Sequence, residues 1–198
     1  MTVKKGHNEM NHRLKRRVRF IQCYRRSPVW DTNISPPELI EFLENHPAGR
    51  ALDIGCGTGT NLITMAEKGW TADGIDFIAK AVRSARHKIK NRDLPIHVQH
   101  GDFLGNSFPA AAYDLILDIG CYHSFPQEDK RIYEKKVTQS LAQEGYYLLY
   151  GFLKTDTSRQ GITSHDLARL AERLKIVKDE RSLGVRDRPA VWLLFQRI

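Results

Sequence analysis

The stretch "ALDIGCGTGTN" at residues 51–61 decides the fold. A short apolar run of strand type stops at a glycine, and Gly55-x-Gly57-x-Gly59 then leads into a helix-forming segment from Thr60. Glycines at that spacing let the backbone turn sharply and approach a ligand closely. The N–H groups freed at the start of the helix favour a negative group. Nicotinamide and flavin folds use G-x-G-x-x-G, which is absent because Thr60 follows Gly59. Five letters of "LDIGCGTG" (52–59) return in "LDIGCYHS" (117–124). The residues before the two copies do not match, which argues against duplication. Both copies end a strand, and each supplies an apolar strand, an acid at its exposed end and a glycine for a turn.

Outward from this stretch, elements alternate. "SPPELIEFLENHPAG" predicts a helix over 35–46, with Ser35 as N-cap, Pro36 at the first helical position, and Glu38 closing a capping box. Strands are expected at 50–55, 71–76, 96–100, 113–120 and 145–152, with helices at 60–68, 78–91, 127–142 and 163–173 between and after them. The segments 174–181 and 190–197 read as an antiparallel pair joined by a turn carrying Gly184 and Asp187. This pattern predicts an α/β fold: a doubly wound, mostly parallel seven-stranded sheet with helices on both faces and an antiparallel last strand. In such sheets ligands bind outside the carboxyl ends of the strands, where the strand order reverses. If the strands bearing the two LDIGC copies are neighbours there, both turns face one crevice.

With 198 residues the chain reads as a single domain, 1–198, with the core sheet in 50–198. No run approaches the roughly 18 apolar residues of a membrane span, and no N-terminal stretch resembles a secretory signal. Three cysteines, Cys23, Cys56 and Cys121, fit no zinc spacing, and a cytoplasmic setting is the simplest expectation. The net charge of +8 is concentrated. Residues 1–26 carry nine Lys/Arg against Glu9 alone, so the rest is formally neutral. Residues 1–10 read as disordered. Residues 11–24 read as a basic helix whose Leu14, Val18 and Ile21 form an apolar stripe. That arm is expected either to close the crevice as a lid, stripe inward, or to grip nucleic acid.

"ALDIGCGTGTN" resembles motif I of the class I S-adenosylmethionine-dependent methyltransferases. Three more acids follow the family's order at successive strand ends: Asp76, Asp102 in "HGDF", and Asp118. "SPVWDTNISPPELIEFL" also resembles a segment of small-molecule methyltransferases of the thiopurine, thiol and tellurite-resistance type, although Val29 separates Pro28 from Trp30 here. The resemblance implies S-adenosylmethionine as cofactor, with S-adenosylhomocysteine as product. It implies a binding site of Asp53, Gly55, Cys56, Gly57, Thr58 and Gly59, with Asp76 and Phe77 at the ribose, Asp102 and Phe103 at the adenine, and Asp118, Ile119 and Gly120 at the methionine and methyl region. Trp30 completes that set.

The function expected is methyl transfer to a small-molecule acceptor, such as a thiol or another soft nucleophile. His123, five residues beyond Asp118, is the candidate base, against the alternative of a surface or capping histidine. Tyr122 and Trp30 are candidates to wall the methyl site, since aromatic faces suit a sulfonium, against the alternative of core packing. Tyr24 is placed above the pocket. Three thiols raise a metalloid site, but small buried residues are the simpler reading and no metal site is expected. The alternatives are an RNA or DNA methyltransferase using the basic arm, a cofactor-binding protein without turnover, and an arm that is a targeting peptide. The oligomeric state is not written in the sequence.

Overall fold

The computed structural model describes residues 14–15, 17–25, 28 and 30–198. Helices are α1 (residues 17–25), α2 (Pro37–Asn45), α3 (Thr60–Glu67), α4 (Ala79–Ile89), α5 (Gln127–Ser140) and α6 (Ser164–Ala171). Strands are β1 (Arg50–Ile54), β2 (Thr71–Asp76), β3 (Ile96–His100), β4 (Tyr113–Ile119), β5 (Leu141–Phe152), β6 (Leu174–Leu183) and β7 (Pro189–Arg197). The reading of residues 1–10 as disordered lies outside the described residues.

The seven strands form one sheet in the order β3-β2-β1-β4-β5-β7-β6. The first five are parallel, and β7 inserts between β5 and β6, antiparallel to both. This is the doubly wound, mostly parallel sheet that the alternation implied, and the Rossmann-like methyltransferase fold that the resemblance implied. The central strands are apolar on both faces because helices cover both. On one face α2, α3 and α4 bury Leu39, Phe42, Leu62, Met65 and Val82 against Ala51, Leu115 and Leu117. On the other, Tyr133 and Val137 of α5 and Leu170 of α6 pack with Leu52, Ile54, Ile116 and Leu193. Each fully buried side chain of this size contributes roughly 1.5–3 kcal/mol.

Strand order reverses between β1 and β4, which pair directly with Ile54 opposite Asp118. The two LDIGC turns therefore stand side by side at the carboxyl edge of the sheet. One local expectation fails. Ser35 does not cap α2, whose N-cap is Pro36 without a side-chain cap bond. Two prolines displace the helix start by one residue, and the Ser35 hydroxyl instead hydrogen-bonds with Asn61 Oδ1 and with the Thr64 hydroxyl of α3, both at 2.8 Å.

Candidate functional site

The turn after β1 is held open by three glycines in the left-handed region: Gly55 (φ +76°), Gly57 (φ +54°) and Gly59 (φ +83°). Gly55 N–H donates to Ile75 O at 2.7 Å, which pins the turn to β2. Side chains at these positions would strain the backbone and collide with neighbours, because a Cβ at Gly57 would lie 2.9 Å from the Tyr24 hydroxyl. Asp53 lies beneath this turn, buried, and its Oδ2 has no hydrogen-bond partner among the described residues. Burial pushes its carboxyl up to about 8, the charges of Asp118 and Asp76 add to the effect, and the Asn61 side chain opposes it. Asp76 ends β2, where its oxygens accept N–H bonds from Gly57 (3.0 Å) and Ile78 (2.7 Å).

The segment from Trp30 to Ser35 is strapped across this turn. Thr58 donates to Asp31 Oδ1 at 2.5 Å, and Lys88 of α4 donates to both Thr58 Oγ1 and Asn33 Oδ1. Helix α1 lies above it. Tyr24 is buried, and burial followed by the Asp76 charge holds its hydroxyl well above the usual range. Phe20 meets Phe77 edge-on at 5.7 Å and Trp30 at 6.0 Å, and the Arg17 guanidinium lies over Phe77. Trp30 itself is 52% exposed. The stripe expected to face inward does not. Leu14, Val18 and Ile21 are 60%, 44% and 45% exposed, and the packing face of α1 is Phe20 and Tyr24. The aromatic rings win that face because they find Phe77, Ile78 and Ala81 to pack against.

The turn after β4 is built from the same letters and treated differently. Asp118 is fully buried and is enclosed by donors. It accepts N–H bonds from Cys121 (2.7 Å) and Tyr122 (3.0 Å) and hydroxyl bonds from Tyr133 and Tyr147. Burial raises its carboxyl to about 6, against the pull of those bonds. Asp118 thus closes a turn with its own chain and does not stand on the crevice wall. Tyr122, expected at the methyl site, is fully buried too. Its hydroxyl donates to Glu134 of α5, which pairs with Arg169 of α6, which reaches Asp166, the partner of Lys130. Core packing accounts for Tyr122, and it offers no surface to a ligand.

His123 lies between two glycines: a Cβ at Gly120 would meet its Cε1 at 3.5 Å, and one at Gly151 its Cβ at 3.2 Å. Its Nδ1 is buried without a partner among the described residues. Burial, then the charges of Arg188, Lys130 and Arg19, lowers its pKa to about 4. The imidazole is therefore neutral at physiological pH and a weak base, unlike the base expected from its position.

Asp102 follows β3 and accepts from Leu104 N–H, capping a short turn that buries Phe103 against Phe108 and Tyr133. Ile119 is half-buried, and Gly120 (φ +91°) donates its N–H to Tyr150 O. Cys56 points into the core beside Gly74, and the Cys121 thiol donates to Ile54 O. Among the described residues no cluster of ligands could hold a metal, and no helix is long and apolar enough to cross a membrane. A groove of about 230 Å³ lies between α2 and the middle of β5 and β7, away from these turns. Sequence reasoning missed Asn61, Lys88, Phe152 and Arg188. The β6–β7 turn carries no motif, and only the insertion of β7 beside β5 brings Arg188 against Phe152 and His123.

A family model described as a methyltransferase domain matches residues 51–145. The chain is 26% identical over 129 residues to the 2-heptyl-1-hydroxyquinolin-4(1H)-one methyltransferase of Mycobacteroides abscessus, covering 64% of this chain and 57% of that protein. It is 29% identical over 122 residues to a probable thiol methyltransferase of Arabidopsis thaliana, covering 59% and 53%. The chain thus spans just over half the length of these two relatives. Among solved structures it is similar to the 1,6-didemethyltoxoflavin-N1-methyltransferase of Burkholderia thailandensis. The TM-score is 0.81 at 17% identity, over 96% of this chain and 90% of that one.

Proposed function

We propose that this chain, a member of the class I S-adenosylmethionine-dependent methyltransferases, transfers a methyl group to a small-molecule acceptor, with a thiol the first candidate. One observation carries the reading: a buried carboxyl group, Asp53, with an oxygen that has no partner among the described residues, beneath a turn of left-handed glycines. An unpartnered buried polar group is costly unless a ligand satisfies it. A ligand that is cationic at one end and brings a carboxylate to the helix start fits both features. S-adenosylmethionine supplies such a group and an already activated methyl.

In this reading Gly55, Cys56, Gly57, Thr58 and Gly59 receive the methionine end and Asp53 faces its ammonium. Asp76 faces the ribose hydroxyls. Phe77, Asp102 and Phe103 border the adenine, while Ile119 and Gly120 border the methyl. Trp30 and Tyr24 form the cover, and α1 acts as a lid over a domain comprising the whole chain. Asp118 is left out, because it serves the turn. The chain's chemical task is alignment and exclusion of water. His123 serves as a neutral hydrogen-bonding group, and a thiol with an ordinary pKa near 8.5 supplies its own thiolate. The names of the quinolone and thiol methyltransferase relatives support a small-molecule acceptor. The test is a methyl-transfer screen over thiols, metalloid oxyanions, phenols, amines and short RNA, read as S-adenosylhomocysteine formed. Turnover of a thiol or phenol supports the reading, and turnover of RNA alone overturns it.

A further inference from the structure

The antiparallel register of β7 on β5 sets Phe152 opposite Ala190, and Leu153 N–H donates to Pro189 O at 2.8 Å. Arg188, one residue earlier, is thereby delivered to the carboxyl edge of the parallel strands, beside the turn after β4. Its guanidinium carbon lies 4.1 Å from the centre of the Phe152 ring. The His123 ring meets the same phenyl edge-on at 5.1 Å. Gly151 makes this possible, since any side chain there would press on His123 and Ile162.

Three cations act on His123: Arg188, Lys130 and Arg19. Lys130 is neutralised by Asp166 at 2.6 Å in a fully buried pair. Arg188, half-buried, and Arg19, exposed on α1, form no ion pair among the described residues. A guanidinium stacked on a ring keeps its N–H edge available for a carboxylate or another planar anion. Beside the turn after β4 the structure thus sets the Arg188 guanidinium, with no ion pair among the described residues, against Phe152 and the neutral imidazole of His123.

We propose that the acceptor is a small-molecule anion, a carboxylate-bearing thiol in the first instance, anchored by Arg188 beside His123. The inference rests on the methyltransferase reading and specifies its substrate class. The same positive field stabilises the thiolate over the thiol. The thiol proton leaves to solvent, the thiolate sulfur forms the new S–CH3 bond, and the sulfonium–methyl bond breaks to give S-adenosylhomocysteine as a neutral thioether. No protein base is consumed. The arm's cations also draw anions towards the crevice, which gives the basic segment a role without nucleic acid.

The test titrates 4-mercaptobenzoate and its uncharged amide, 4-mercaptobenzamide, into the full chain saturated with S-adenosylhomocysteine. The carboxylate is expected to bind at least about tenfold more tightly than the amide, the range of one charge-assisted contact. Arg188→Gln should remove that preference while leaving S-adenosylhomocysteine affinity unchanged. Arg19→Gln, at an exposed position of the basic arm, should leave the preference in place and only flatten its dependence on salt. Equal binding of the two probes, binding of neither, or a preference that survives Arg188→Gln overturns the proposal. If the chain does not bind S-adenosylhomocysteine at all, the methyltransferase reading fails first and this inference falls with it.

Discussion

The two LDIGC turns are neighbours in space, identical over five residues, and opposite in use. In the turn after β4, Asp118 has all its partners from its own chain: two backbone N–H groups and two tyrosine hydroxyls. In the turn after β1, Asp53 is also buried but keeps an oxygen without a partner among the described residues. The pairing explains the difference. Ile54 lies opposite Asp118, so Asp53 stands one residue out of step and faces the α2–α4 side, whereas Asp118 faces α5 and its tyrosines. A one-residue offset reverses the face on a strand. One motif can thus have its acid satisfied by the surrounding chain in one copy and leave an acid oxygen without a partner among the described residues in the other.

The largest effect should come from breaking the satisfied copy. Asp118→Ala leaves two N–H groups and two hydroxyls without their acceptor, each worth about 1–3 kcal/mol when buried. Thermal unfolding should show a loss of about 3–5 kcal/mol. A loss of a few tenths would mean that the Asp118 cage does not hold the turn.

Next comes the open copy. Asp53→Asn should weaken S-adenosylmethionine binding by about 1.5–3 kcal/mol, roughly ten- to hundredfold, the range for hydrogen bonds to charged groups. Calorimetry reads the affinity, and unchanged affinity would remove Asp53 from the site. Stability should move the other way. The Asp53 pKa is raised on folding, from near 3.8 to about 8. Its contribution is therefore fully present below pH 4 and is lost as pH rises through about 8. Relative to the wild type, Asp53→Asn should gain melting temperature between pH 4 and 8 and level off above. A pH-independent difference would contradict the buried, raised carboxyl.

Much of this was legible in advance. Strand ends, helix order and the antiparallel final pair follow from apolar runs and glycines, and Asp53, Asp76 and Asp102 fall at three successive strand ends as expected. The side chains were harder to read. Tyr122 and His123 are adjacent on one turn, yet one is fully buried under α5 and the other lies against Gly151, a contact 28 residues away in sequence. The α1 stripe misled because spacing identifies a face but not what it meets. Leu14, Val18 and Ile21 satisfy the helical period, but Phe20 and Tyr24 find the rings of Phe77 and Trp30.

The smallest effect distinguishes these two faces of α1. Phe20→Ala should loosen the cover and lower cofactor affinity by about 1 kcal/mol, of the order of an aromatic pair. It should also reduce the response of Trp30 fluorescence to cofactor. Leu14→Ser together with Val18→Ser should change neither. If the serine pair is the more damaging, the stripe is the packing face after all.

The most direct test of the central claim counts protons. S-adenosylmethionine is titrated into the wild type and Asp53→Asn at pH 6.5 in two buffers of different ionisation enthalpy. At this pH Asp53 is protonated, while the ligand's α-amino group, with an ordinary pKa of about 7.7–8.0, already carries its charge. A cation seated against Asp53 must expel that proton. The account predicts release of close to one proton per site by the wild type and none by Asp53→Asn. Tight binding with no proton release, or equal release by both proteins, would contradict it.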